Sequence, residues 1–193
     1  MFSLMTWLGN LLVAVLLLAP TVIAADTAQS GRSRLERVQQ ALSADVPRVL
    51  CLDESFTTGG QPTGNAYEKA VAIGFRSVLS LRTNDEGVDL VRERARVESA
   101  KMRYFNIPVD SSDPRPEQAD EFRRIARDKT NHPMLINCAS ANRVGAFMMI
   151  LRVVEQGWSE DKALVEAMKI GLASAKLKQF AIQYIERQKA RRG

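Results

Sequence analysis

The sequence predicts an α/β fold, a three-layer-type sandwich with a central, mostly parallel sheet flanked by helices. Three observations carry this. Short apolar runs of strand length recur along the chain, stretches of helical pattern separate them, and the last run leads into a long helix with a core-facing stripe. Ser77-Val78-Leu79-Ser80-Leu81 reads as a buried strand, Tyr104-Phe105-Asn106-Ile107 as a second closed by Pro108, and Met134-Leu135-Ile136-Asn137 as a third. Leu35–Leu42 is weakly helical, and Thr57-Thr58-Gly59-Gly60-Gln61-Pro62 reads as a turn. Asn65 with Glu68 three residues on resembles a capping box opening a short helix that Gly74 ends. Val88–Ala100 is charged and reads as an exposed helix. Pro114 and Pro116 introduce another that carries Ala119, Phe122, Ile125 and Ala126 on one face. Val144, Phe147, Met148 and Leu151 fall at i, i+3, i+4 and i+7, the spacing of a buried helix face, and Gly157 ends it. Ser159 and Ser174 are hydroxyl caps for two further helices; the last turns Leu177, Phe180, Ala181 and Tyr184 inward, and Trp158 is expected at a helix junction.

The chain has 193 residues, 46% hydrophobic and 25% charged, which excludes collagen-like, disulfide-scaffold and wholly disordered proteins. The formal charge of +5 sits in the last eighteen residues, where Lys176, Lys178, Arg187, Lys189, Arg191 and Arg192 face only Glu186. A basic tail on a terminal helix reads as a solvated face, and no nucleic-acid partner is expected. Residues 1–25 carry no charge. Leu11–Ala19 is an apolar run broken by Pro20, small residues follow at Ala24 and Ala25, and Asp26 opens a polar stretch. This is the pattern of an export signal, lacking only the usual Lys or Arg before the run; an uncleaved anchor over residues 4–25 is the alternative, and the only route to a membrane. The expected organisation is a signal over 1–25, a linker and short helix over 26–47, and one domain over 48–193, exported, in a bacterium to the periplasm.

The chemistry concentrates where the third strand meets its helix, at Asn137-Cys138-Ala139-Ser140-Ala141-Asn142-Arg143-Val144. A strand running through a short loop into a helix aims several backbone N–H groups at one point, and the helix dipole adds to them. A cysteine at the base of such a loop has its thiolate stabilised by those amides and a nearby arginine. Arg143 can grip two oxygens of a tetrahedral anion with its planar fork. Ala139, Ser140 and Ala141 let the backbone wrap closely, so Ala139, Ser140, Ala141 and Asn142 are candidate phosphate-loop residues beside Cys138 and Arg143.

Cys138 to Arg143, Thr58-Gly59-Gly60-Gln61-Pro62, Gly74 to Arg82, and Ile107-Pro108-Val109 together resemble the bacterial branch of the cysteine-dependent dual-specificity and protein-tyrosine phosphatase superfamily, the beta-lactamase-hydrolase-like branch. The resemblance spans about Phe56 to Leu172. It implies a phosphatase fold and a phosphorylated protein or small phosphomonoester as substrate. Cys138 would attack phosphorus to give a cysteinyl-phosphate, Arg143 would hold the phosphoryl oxygens, and an Asp on an earlier loop would protonate the leaving oxygen. Asp110 is the first choice for that acid and Asp113 the second. The chain departs from the usual pattern in three ways: four residues rather than five separate Cys138 from Arg143, Asn137 stands where His is usual, and Val144 stands where Ser or Thr follows the Arg. The short loop keeps open a rhodanese-like sulfurtransferase, and a weakly catalytic phosphate-binding adaptor is a third reading. Gln61 and Arg82 are candidates for the site rim. His132 is the only histidine, no cluster has metal-ligand spacing, and no metal or cofactor is expected. Cys51, the one other cysteine, could be a buried thiol, a structural half-cystine or a resolving partner for Cys138.

Overall fold

A computed structural model describes residues 34–191; the expected export signal or anchor lies outside them. In chain order the elements are α1 (34–42), β1 (Leu50–Cys51), β2 (Phe56–Gly59), α2 (Ala66–Ala72), β3 (Ser77–Ser80), α3 (Leu90–Ser99), β4 (Arg103–Asn106), α4 (Pro116–Arg127), β5 (Met134–Asn137), α5 (Asn142–Val154), α6 (Glu160–Ile170) and α7 (Ala175–Ala190), with a 3-10 turn at Lys129–Asn131. The sheet order is β1-β2-β5-β3-β4. β2, β5, β3 and β4 run parallel, and only β1 pairs antiparallel, on β2.

The sheet is covered on both faces, as parallel sheets are. Side chains alternate across it. Leu79 and Ile136 enter a cluster with Phe122 of α4, Phe147 of α5, Ala167 of α6 and Leu177 of α7. Val78 and Leu135 enter the opposite cluster with Leu42 of α1, Tyr67 of α2 and Val97 of α3. Every residue of β2, β3 and β5 is buried, which explains why β3 and β5 read as strands of largely apolar sequence. The segment expected as linker and short helix supplies Leu42 and Val46 to the second cluster. Trp158 is sandwiched between the cations of Arg152 and Lys162, 4.7 and 3.7 Å from its ring, at the junction of α5 and α6.

Two local expectations are corrected. Phe56–Gly59 is not part of a turn but a parallel strand beside β5. Its glycines are there because the chain passes too close to its neighbours for a side chain: a Cβ on Gly59 would lie 2.4 Å from Val46 Cγ1, and one on Gly60 2.9 Å from the Ala139 carbonyl oxygen. Asn65 stands at the start of α2 without donating or accepting a side-chain cap bond, and Glu68 instead reaches Arg96 at 3.3 Å.

The two cysteines are free. Cys51 pairs in register with Thr57, which pairs with Leu135, so Cys138 lies two strands across and three residues along, roughly 14 Å away by strand geometry. That is twice the reach of a disulfide. Cys51 Sγ instead lies 2.9 Å from Thr57 Oγ1, and burial pushes its thiol pKa up.

α5 is buried along almost its whole length and touches α6 closely at Gly145. A Cβ there would meet the Ala167 carbonyl oxygen at 2.7 Å and the Leu172 nitrogen at 2.9 Å, both backbone atoms that cannot swing aside. Gly145→Ala is therefore expected to destabilise the fold by about 1–3 kcal/mol, the usual cost of overpacking, despite alanine's better helix propensity. Urea unfolding of the two proteins measures it, and an unchanged midpoint would contradict the close α5–α6 approach.

Candidate active site

The site lies at the carboxyl ends of the parallel strands, where β5 sits between β2 and β3 and the chain winds in opposite directions on either side, the place where open α/β sheets form their ligand crevices. β5 ends at Asn137, and Cys138 follows at 1% exposure. The loop over Cys138–Ala141 is fixed on its outer side by the end of β2: Gln61 N–H donates to the Ala139 carbonyl at 3.2 Å, and Gly60 bridges Ser140. The absence of a side chain at Gly60 is what admits this contact. Ala141 then takes φ 65°, the left-handed region, turning the chain into α5. A small residue carries that strain at least cost.

α5 begins at Asn142, and its first N–H groups have no intrahelical acceptor by the geometry of helices. They and the positive end of the dipole make the loop a seat for an anion. Asn142 turns its side chain away from this seat: its Oδ1 accepts from Ala173 N–H at 3.1 Å and Ser174 N–H at 3.2 Å, tying the α6–α7 turn to the loop. Ser140 is exposed at the loop's edge, while Val144, in the position after the arginine, is wholly buried in the core.

Arg143 is 5% exposed and held on all sides. Nη1 donates to the carbonyls of Leu81 at 2.9 Å and Val109 at 2.7 Å, and to Glu86 Oε1 at 2.5 Å; Nη2 donates to Glu86 Oε2 at 2.6 Å. The fork-to-fork pair with Glu86 leaves the guanidinium little freedom to rotate. Burial works against the charge of Arg143, but Glu86 and the nearby Cys138 more than offset it and raise its pKa. Glu86 shows the complementary shift. Burial would raise its pKa, yet hydrogen bonds from Arg143 and from Thr83 hold it down at about 2. The same carboxylate takes Arg82 Nε at 2.7 Å, so one acid binds two arginines.

A cleft of about 350 Å³ opens above the loop, lined by Thr83, Asp85, Glu86, Asp110, Ser111, Ala139, Ser140, Asn142 and Arg143. Cys138 lies beneath this lining at the loop's base. Asp110 stands at the mouth, where its Oδ1 accepts from the Ser112 N–H at 2.7 Å and hydroxyl at 2.8 Å. These bonds favour the carboxylate and lower its pKa, with smaller help from Lys176 and Arg143. Asp113, the second choice, does not line the cleft; its N–H closes the turn onto the Asp110 carbonyl at 3.1 Å. The structure thus brings the expected loop residues, Arg143 and Asp110 to one cleft, together with Glu86, which was not among the expected residues. Gln61 and Arg82 line an adjoining cleft rather than this one. Asn137 is fully buried, and neither its amide oxygen nor its nitrogen has a hydrogen-bond partner among the described residues. Among the described residues no three His, Cys, Asp or Glu side chains are grouped to hold a metal ion.

With this geometry in hand, a family model described as DSP-PTPase phosphatase fused to NAD+ kinase matches residues 29–191. No curated protein matches. Among solved structures, a DUF442 protein from Shewanella putrefaciens CN-32 superposes with a TM-score of 0.65 at 18% identity, over 77% of this chain and 92% of that one. The core catalytic domain of the PP-IP phosphatase SIW14 from S. cerevisiae, in complex with citrate, gives 0.61 at 16% identity over 77% and 95%. TpbA from P. aeruginosa in complex with pTyr gives 0.56 at 19% over 72% and 82%. These likenesses agree with the fold expected from sequence, and the family match favours the phosphatase expectation over the sulfurtransferase one.

The Glu86–Arg143 pair predicts a pH signature. Because the folded-state pKa of Glu86 is depressed from 4.5 to about 2, its contribution to stability is complete above pH 4.5 and is lost as pH falls towards 2. Thermal melts of wild type and Glu86→Gln should therefore differ most at neutral pH and converge between pH 4.5 and 2. A gap that stays constant across that window would show that the carboxylate charge does not hold Arg143.

Proposed function

Since the chain belongs to the family of DSP-PTPase phosphatases fused to NAD+ kinase, we propose that it hydrolyses phosphate monoesters of the protein-tyrosine or dual-specificity type, with Cys138 as nucleophile, Arg143 as phosphoryl clamp and Asp110 as general acid. One observation supports this above others: the buried Cys138 and the Glu86-clamped Arg143 converge on a single loop whose helix-end N–H groups are aimed at an anion. That TpbA, of similar fold, is seen in complex with pTyr supports this substrate type.

The reaction divides into two displacements. The phosphate dianion seats on the loop amides and the remaining N–H groups of Arg143. The Cys138 thiolate attacks phosphorus, the bond from phosphorus to the ester oxygen breaks, and Asp110 gives that oxygen its proton. Water then attacks the cysteinyl-phosphate while Asp110 takes its proton, releasing phosphate and the thiolate. In the free protein Ser112 holds Asp110 ionised. A bound dianion adds negative charge beside it, which raises its proton affinity when an acid is needed. Glu86 acts through Arg143 by fixing the plane of its fork, a positioning role. The uncharged segment 1–25, outside the described residues, supports export, which fractionation of cells expressing the full chain tests.

Hydrolysis of an aryl phosphate by reduced, chelator-treated protein tests the assignment. Cys138→Ser should abolish turnover, and Arg143→Ala should lower kcat/KM by about 10²- to 10³-fold, the scale of losing a preorganised transition-state donor. Asp110→Asn should lower kcat by about 10²-fold or more and remove the fall in kcat at high pH, whereas Asp113→Asn should leave both. If Asp113→Asn rather than Asp110→Asn removes the high-pH limb, the acid is misassigned. An inactive wild type with a free Cys138 thiol would refute the reading for this substrate class.

A further inference from the structure

Segment 82–89 is a ridge with a cleft on either side. Thr83, Asp85 and Glu86 line the reaction cleft, while Arg82, Gly87, Val88 and Asp89 line a second one of about 420 Å³, walled on its other side by α3. The second cleft carries three guanidinium groups, those of Arg82, Arg92 and Arg96. Arg82 is 7% exposed and rigidly held: Nη1 donates to Gln61 Oε1 at 2.9 Å, Nη2 to the Glu86 carbonyl at 2.8 Å, and Nε lies 2.7 Å from Glu86 Oε2. Of its five N–H donors only two make hydrogen bonds; Nε, close to Glu86 but without hydrogen-bond geometry, and one N–H on each of Nη1 and Nη2 are left over. Arg92 is exposed and its guanidinium has no ion pair among the described residues. Arg96 reaches the Gly64 carbonyl and Glu68 across the Tyr67 ring.

The acids of this cleft are already engaged. Glu93, 5% exposed, accepts from the Tyr67 hydroxyl at 2.6 Å, from Gln61 Nε2 at 3.2 Å and from the Tyr104 hydroxyl at 3.2 Å. Asp89 caps α3 through the Arg92 N–H at 2.8 Å. The concavity thus offers spare donors on a buried arginine and one unpaired guanidinium, the chemistry that recognises a phosphate. It also adjoins the reaction loop. Arg82 and Arg143 share the Glu86 carboxylate, and Gln61, which orients Arg82 through its side chain, holds the Ala139 carbonyl through its backbone.

We propose that this second cleft is a subsite for a further phosphate group on the same substrate, so that the preferred substrate is a bisphosphate with one phosphate on the Cys138 loop and the other between Arg82 and Arg92. The proposal rests on the phosphatase reading and narrows its substrate class. A simple monoester fills only the first position.

The test compares alkanediol bisphosphates of graded length with the matching monophosphates, as kcat/KM on wild type and as affinity for Cys138→Ser protein. A bisphosphate of matching length should be preferred about tenfold or more, the scale of one added charge-assisted contact. Arg92→Gln should erase most of that ratio, while Arg94→Gln, which makes the same charge change on α3 outside the cleft lining, should preserve it; melting temperatures of both variants check the fold. Equal use of both ligand types at every length overturns the subsite. So does a bisphosphate preference that Arg92→Gln leaves intact. A response of monophosphate turnover to added inorganic phosphate that needs Arg92, without any bisphosphate preference, overturns the same-substrate assignment in favour of a free anion. Wild type inactive on every ester, with Cys138→Ser protein still binding the bisphosphate through Arg92, refutes the phosphatase reading and supports the subsite.

Discussion

The pairing of Arg143 with Glu86 is the constraint on which the site depends. A guanidinium at 5% exposure is costly to bury unless its donors are met. Here Glu86 meets them together with the carbonyls of Leu81 and Val109, in the segments that follow β3 and β4. The arginine therefore ties the 82–89 ridge, the loop after β4 and the helix that follows Cys138 into one arrangement. Breaking the pair would leave both a buried cation without its counterion and a carboxylate aimed into an anion site. The direction of the Glu86 shift, well below an ordinary carboxylate, is the electrostatic expression of that mutual dependence.

How much of this was legible in the sequence follows from the range of the interactions. β3 and β5 were visible because strands buried on both faces become short, largely apolar runs, β4 because an aromatic pair precedes Pro108, and α5 because its core face repeats at helical spacing. Cys138 and Arg143 were visible because they share one short loop. β2 was not, since two threonines followed by two glycines carry the signature of a turn. What that pattern encodes is instead the close approach of Val46 and of the Ala139 carbonyl, contacts that local sequence does not display. Glu86 was hidden for the same reason: it lies 57 residues from Arg143 in a charged turn, and nothing distinguishes it there from Asp85. The mispredicted Asn65 cap is a local rule overridden by a tertiary partner, since Glu68 is drawn to Arg96.

The two halves of the molecule contribute differently. On the α4–α7 face the sheet rests on an apolar cluster that includes the T-shaped Phe122–Phe147 pair at 5.4 Å. On the α1–α3 face, towards the carboxyl ends of the strands, a polar seam of Tyr67, Tyr104, Glu93 and Gln61 replaces such packing. The burial of both tyrosines next to Glu93 pushes their pKa values upward, so they stay neutral donors and the seam keeps one hydrogen-bonding pattern. A rigid polar floor of this kind is suited to holding Arg82 in place beside a charged ligand.

The side chain of Asn142 links regions far apart in the chain. By accepting the N–H groups of Ala173 and Ser174 it hangs the turn between α6 and α7 directly from the Cys138 loop. The C-terminal helical pair is thereby a clamp as well as a cover. The loop after β5 and the turn between α6 and α7 are thus one hydrogen-bonded unit, so the seat of the anion site rests on helices whose inner faces belong to the same core as the sheet.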